Sequence, residues 1–156
     1  MQQIREFEDR DAGRVAEILL VGFRPVFGAY MTQTEPDPPE TVIAAARADG
    51  NRAWVAEVDG VVAGYLLVSA DCRHGLGTLQ VIAVDPAYAG RGLGHALMVP
   101  AEEFWRARKM RKIYTCVASI NPNAQAFYRR HGFVAEGTLK SHFFDGVDEI
   151  CLAKFY

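Results

Sequence analysis

"VIAVDPAYAGRGLGHAL" occupies residues 81–97, and its reading decides the fold. The run "TLQVIAV" (78–84) has the β-branched and aliphatic content of a strand, and Asp85-Pro86 ends it. Downstream, Leu93, Leu97, Ala101, Phe104 and Arg108 recur at helical spacing, which predicts a helix reaching about residue 110. Between strand and helix, Gly90, Gly92 and Gly94 alternate. In a regular segment each would cost roughly 0.5–1 kcal/mol relative to alanine. A strand, a glycine turn and a helix start together expose several backbone N–H groups backed by the helix dipole, a ready anion site most often filled by phosphate. Arg91 adds a side-chain cation. A tight turn with no ligand is the plainer reading. Two familiar phosphate motifs fail here: no Lys-Ser or Lys-Thr follows the glycines, and Gly94 falls one residue short of G-x-G-x-x-G.

Working outward, "IREF" (4–7) alternates as a short strand, and "DAGRVAEILLVGF" (11–23) puts Val15, Ile18, Leu19 and Gly22 on one helical stripe. Residues 24–40 carry four prolines and are not one regular element. A second helix is predicted over 40–50, opened after Pro38-Pro39 and stopped at Gly50. Residues 53–70 form two apolar strands around Asp59-Gly60, a strong hairpin signal. A strand at 112–119, a short helix at 123–131 closed by Gly132, and a hairpin of 133–139 with 148–156 complete the chain. Pro100 falls inside the long helix, removes its bond to Ala96, and is expected to kink it. The order β-α-α-β-β-β-α-β-α-β-β predicts a single α/β (α+β) domain over 1–156, with about six to seven strands and helices on both faces.

Composition narrows the function. With 17 basic and 19 acidic residues the net charge is -2, which gives no electrostatic case for nucleic acid or an anionic membrane. No apolar stretch reaches the roughly 18–20 residues needed to cross a bilayer. The charged start "MQQIREFEDRD" lacks the apolar core of a secretory signal. Cys72, Cys116 and Cys151 are unpaired in spacing, so buried free thiols in a reducing cytoplasm are expected, and no metal site.

"VIAVDPAYAGRGLGHAL" resembles the strand, V-x-P and R/Q-x-x-G-x-G/A turn of the GNAT superfamily of acyl-CoA-dependent N-acetyltransferases. "NPNAQAFYRRHGF" (121–133) is similar to that family's N-x-x-A-x-x-F/L-Y-x-x-x-G-F segment. The likeness extends over nearly the whole chain. It implies a mixed, mostly antiparallel sheet and acetyl-CoA as co-substrate. The amides from Gly90 through Arg91, Gly92, Leu93 and Gly94 to His95 would hold the pyrophosphate. One position departs: the family's first Arg/Gln falls on Ala89, with Arg91 nearby.

The same resemblance implies that two central strands, 78–84 and 112–119, splay around the pantetheine arm. Ala83 and Val84 would offer backbone groups, an N–H near Val84 polarising the thioester carbonyl. Tyr128 matches the tyrosine that protonates the leaving thiolate, workable for a phenol of pKa about 10. Ala124 and Phe127 would border the cofactor. Asn121 either contacts it or caps the helix. His95 is expected to stay neutral and to pack or touch phosphate. Where many relatives carry a strand carboxylate, Gln80 and Val81 stand instead. Glu35, Asp37, His74, His142, Asp145 or a relayed water are the candidates for the base. Phe23, Phe27, Tyr30, Met31, His142, Phe143 and Phe144 suggest an aromatic acceptor pocket for a small amine or a peptide. A homodimer agrees with similar proteins. A catalytically idle acyl-CoA-binding module is the alternative reading.

Overall fold

A computed structural model describes residues 1–156. In chain order the elements are β1 (Gln2–Glu6), α1 (Ala12–Phe27), α2 (Pro39–Arg47), β2 (Asn51–Val58), β3 (Val61–Asp71), β4 (Leu76–Val84), α3 (Leu93–Ala107), β5 (Lys112–Ala118), α4 (Pro122–Arg130), β6 (Val134–Phe144) and β7 (Val147–Phe155). This is the predicted order. Seven strands form one sheet, β1-β2-β3-β4-β5-β7-β6, and every neighbouring pair is antiparallel except β4–β5. That pair needs a crossover, which α3 supplies.

Local chemistry explains the turns. Asp59 and Gly60 both have positive φ, 50° and 79°, the primed turn that matches strand twist. Pro39 opens α2 at its first position, where the missing N–H costs nothing. Two boundaries move from expectation. α1 continues through Pro25 to Phe27: the proline sits in the final turns, where only one intrahelical bond is lost. β6 runs to Phe144 and pairs it with Val147 across the hairpin end, past an irregular stretch after Leu139. α3 passes Pro100 as one element.

The core lies in two layers. Under α3 and α4, Trp54, Leu66, Leu79, Leu97, Trp105, Ile113 and Tyr128 join one buried cluster of 20 residues. Under α1 and α2, Val15, Ile18, Val42, Val55, Tyr65 and Ala83 join a second of 12. Helices cover β2–β4 on both faces, while β6 is exposed along most of its length. That open flank corrects one expectation. Cys72 and Cys116 are exposed and Cys151 is half-buried, because Cys72 lies in the β3–β4 turn and no helix covers the Cys116 side of β5 and β7.

β4 and β5 pair only from Leu76↔Lys112 to Thr78↔Tyr114. Beyond that point they part, and the hydroxyl of Thr115 donates to the Leu79 carbonyl at 2.9 Å across the fork. The site lies in this split.

Candidate active site

A cavity of about 770 Å³ opens between the diverging ends of β4 and β5 and continues to the start of α3. All eleven cofactor-side residues expected from the sequence border it, from Ala83 and Val84 through the glycine turn to Asn121, Ala124 and Phe127, as does Tyr128.

The glycine turn has a specific construction. Gly90 and Gly92 have φ of 78° and 74°, a left-handed conformation that costs other residues about 1–2 kcal/mol. A Cβ at either would meet nothing within 4 Å. Gly94 serves differently: its Cβ would stand 3.2 Å from the Phe127 ring, so it lets α3 and α4 approach. Gly92 is the N-cap of α3 and no side chain caps the helix. The first intrahelical donor is Ala96, bonding to the Gly92 carbonyl at 3.0 Å. From Gly90 to His95 no backbone N–H has an acceptor within the protein. Such a run of unpaired donors at a helix N-terminus suits an anion. The chemistry of this cradle fits a pyrophosphate, which the amides from Gly90 to His95 would hold. The Arg91 guanidinium meanwhile lies over the Tyr88 ring, 5.3 Å from its centroid.

The corner that delivers the turn is fixed from α1. Asp85 accepts from the Ala87 N–H at 2.9 Å and is ion-paired with Arg14, whose Nε donates to the Val62 carbonyl at 3.0 Å. Gly22 permits α1 to close on β4, since its Cβ would lie 3.4 Å from both the Ala83 Cβ and the Val84 carbonyl. Val84 pairs with Gly64 in register, and the next N–H, of Asp85, donates to the Ala63 carbonyl at 2.8 Å. Strand alternation then commits the Ala83 peptide to β3 and turns the Val84 N–H toward the split. Ala83 borders the cavity through its side chain.

On the α4 side, Tyr128 is buried, with Phe127 and Phe133 edge-on at 5.5 and 5.6 Å. Burial pushes its phenol up to about 12, offset in part by the neighbouring Thr115 hydroxyl. It is therefore a proton donor throughout the neutral range. Asn121 caps α4, its side-chain oxygen accepting from the Ala124 N–H at 3.2 Å. His95 stacks on His131 with 2.8 Å between Nδ1 and Nε2. Burial and the charges of His95 and Lys154 hold His131 below its ordinary value.

The base candidates scatter. Glu35 and Asp37 are exposed in the α1–α2 loop, and Asp37 accepts from Gln33 at 3.1 Å. His74 pairs with Asp71 at 2.7 Å, at the end of β4 opposite Val84. His142 and Phe143 are exposed; Asp145 lies in the β6–β7 turn. Of the expected aromatic wall, Phe23 and Phe27 border the cavity. Phe144 and Tyr30 back Phe27, the Phe144 ring lying 5.7 Å from Phe27 and 5.4 Å from Tyr30.

Sequence reading missed Glu149. It borders the cavity and is only 8% exposed. Burial raises its carboxyl above the ordinary value, offset by the nearby His142. The available signal was alternation, which groups Glu149 with Val147 and Cys151 on one otherwise apolar side of the strand.

The family model described as the acetyltransferase (GNAT) family matches residues 14–133. An uncharacterized N-acetyltransferase of Methanocaldococcus jannaschii is 30% identical over 152 residues, covering 97% of this chain and 90% of the relative. Among solved structures, a nourseothricin acetyltransferase superposes with TM-score 0.76 at 26% identity, covering 99% of this chain and 98% of the other. The Thermoplasma acidophilum PaiA N-acetyltransferase, solved with coenzyme A, superposes with TM-score 0.79 at 16% identity over 100% and 99% of the two chains, a likeness of fold. No helix is long and apolar enough to cross a membrane. The matched segment begins in α1 and ends just before β6, taking in the fork, the glycine turn and both flanking helices, and by that match the chain belongs to the GNAT acetyltransferase family.

Proposed function

We propose that this acetyltransferase moves the acetyl group from acetyl-CoA directly to a primary amine of a small molecule or peptide, both substrates bound at once, with Tyr128 as the general acid. The observation that carries the reading is the cavity itself: six consecutive unpaired N–H donors at one end, and a buried phenol beside the fork. Acetyl-CoA supplies a thioester whose carbonyl carbon takes the amine. The chain's residues do the rest. Gly90–His95 bind the pyrophosphate through backbone donors. The Val84 N–H, directed into the split, donates to the carbonyl oxygen as negative charge builds there. Tyr128 passes its proton to the departing sulfur, and its raised pKa keeps that proton in place until a thiolate arrives.

The test is thiol release from acetyl-CoA across a panel of amines and peptide N-termini, alongside calorimetric binding of coenzyme A. Release that depends on an amine, with the acetylated product identified by mass, supports the reading. Tight cofactor binding with no amine raising release above background hydrolysis leaves an acyl-CoA-binding module in its place.

A further inference from the structure

Glu149 is the only carboxylate that borders the cavity. The residue is more than nine-tenths buried, and neither a hydrogen bond nor an ion pair engages its carboxylate; burial raises its pKa and the field of His142 opposes the rise. The Tyr65 hydroxyl is the only fully buried side-chain polar atom without a partner, so the Glu149 carboxylate keeps access to the cavity; an unpaired carboxylate in a largely apolar wall suits a cation delivered by the ligand.

Its position is set by register. Glu149 pairs with Ala118 and Cys151 with Cys116 across β5–β7, so these four residues share one sheet face, the α1 side. Thr115 and Val117, between them on β5, point to the opposite face and α4. Tyr128 and Glu149 therefore reach the fork from opposite faces of the sheet. The groups that face Glu149 are the Cys116 thiol from β5, itself pushed up to about 11 by burial, and His142 from β6; α1 contributes only the rings of Phe23 and Phe27 to that end of the cavity.

We propose that Glu149 anchors the acceptor's ammonium group and takes its proton, and that the acceptor is a primary monoamine with an apolar body lying against Phe23 and Phe27. The proposal rests on the amine-transfer reading above. It is also independent of the family match, because Glu149 lies beyond residue 133 where that match ends. The proton inventory closes. The ammonium gives one proton to the Glu149 carboxylate, which releases it to solvent. The freed lone pair forms the N–C bond to the acetyl carbon as the C–S bond breaks, and the sulfur takes the Tyr128 proton. The second N–H proton, lost as the amide forms, restores the Tyr128 phenol. The cavity has no second carboxylate to pair a second cation, and its aromatic rings favour an apolar body.

The experiment compares two acceptors of one shape, 2-phenylethylamine and the weakly basic O-benzylhydroxylamine, which is already neutral at pH 7. With Glu149→Gln, kcat/KM for 2-phenylethylamine should fall by roughly 100-fold or more, while the loss on O-benzylhydroxylamine stays within about fivefold and coenzyme A affinity is unchanged. Equal losses on both acceptors, or no loss on either, would overturn the proposal. In case the variant fails to fold, the wild-type protein loaded with coenzyme A provides a second measurement. It should bind 2-phenylethyl-trimethylammonium roughly tenfold more tightly than its neutral carbon isostere, 3,3-dimethylbutylbenzene; equal affinity sinks the anchor. Inactivity on both acceptors while other amines react overturns the acceptor class alone. Inactivity on every amine with coenzyme A bound overturns the amine-transfer reading instead.

Discussion

Two helices begin at the same cavity, and their N-termini are built in opposite ways. α4 is closed: Pro122 at its first position has no N–H to satisfy, and Asn121 takes the Ala124 donor. α3 is left open: Gly92 caps it with no side chain, and its first donors face the cavity unpaired. An uncapped terminus with a run of unpaired donors suits an anionic ligand. The same cavity has a second open group, Glu149, which faces the Cys116 thiol and His142 and has neither a hydrogen bond nor an ion pair. The cofactor end offers donors to an anion; the acceptor end offers one carboxylate to a cation.

The largest test of that division is Tyr128→Phe, which removes the proposed acid between the two ends. It should lower kcat by roughly 10²- to 10⁴-fold with coenzyme A affinity nearly unchanged. Turnover at the wild-type level would remove Tyr128 from the chemistry. Next in size is Gly92→Val. Forcing a β-branched residue to φ near +74° should weaken coenzyme A binding roughly 10- to 100-fold in calorimetry, with circular dichroism retained; undiminished binding would mean that the open terminus holds no anion. A pH profile separates the two ends further. Glu149 must be ionised to accept a proton, and burial raises its pKa, so kcat/KM should fall as pH drops through a value above the ordinary glutamate pKa of about 4.3. Glu149→Gln should abolish that acid limb. No alkaline limb should come from Tyr128 below its value of about 12. The smallest effect belongs to the closed helix. Asn121→Ala should cost about 1 kcal/mol in denaturant unfolding and leave coenzyme A affinity within about twofold, if capping is its whole role. A larger loss of affinity would return Asn121 to the cofactor.

Local signals picked out residues that line one end of the cavity. The three glycines, Asp85-Pro86 and the segment from Asn121 to Phe133 are contiguous in sequence, and contiguous backbone is what phosphate cradles and helix caps are made from. The individual reasons were less legible. Gly94 reads like its neighbours in the string, yet it answers to the Phe127 ring across a helix interface, a contact no local pattern encodes. The other end is assembled from α1, β5 and β7, so Glu149, Phe23 and Phe27 come to one cavity only after the sheet has formed. The burial expected of Cys116 failed for a related reason: alternation shows that a strand has two faces, but whether a helix covers the second depends on the layout of the whole sheet.

The fork between β4 and β5 has one further consequence. Strand pairing joins the two halves of the sheet, β1 to β4 and β5 to β7, only from Leu76↔Lys112 to Thr78↔Tyr114. That seam is the shortest run of strand pairing in the sheet. A ligand lying along that seam would act as mortar as well as substrate, so the protein's resistance to opening would rise and fall with its supply of cofactor.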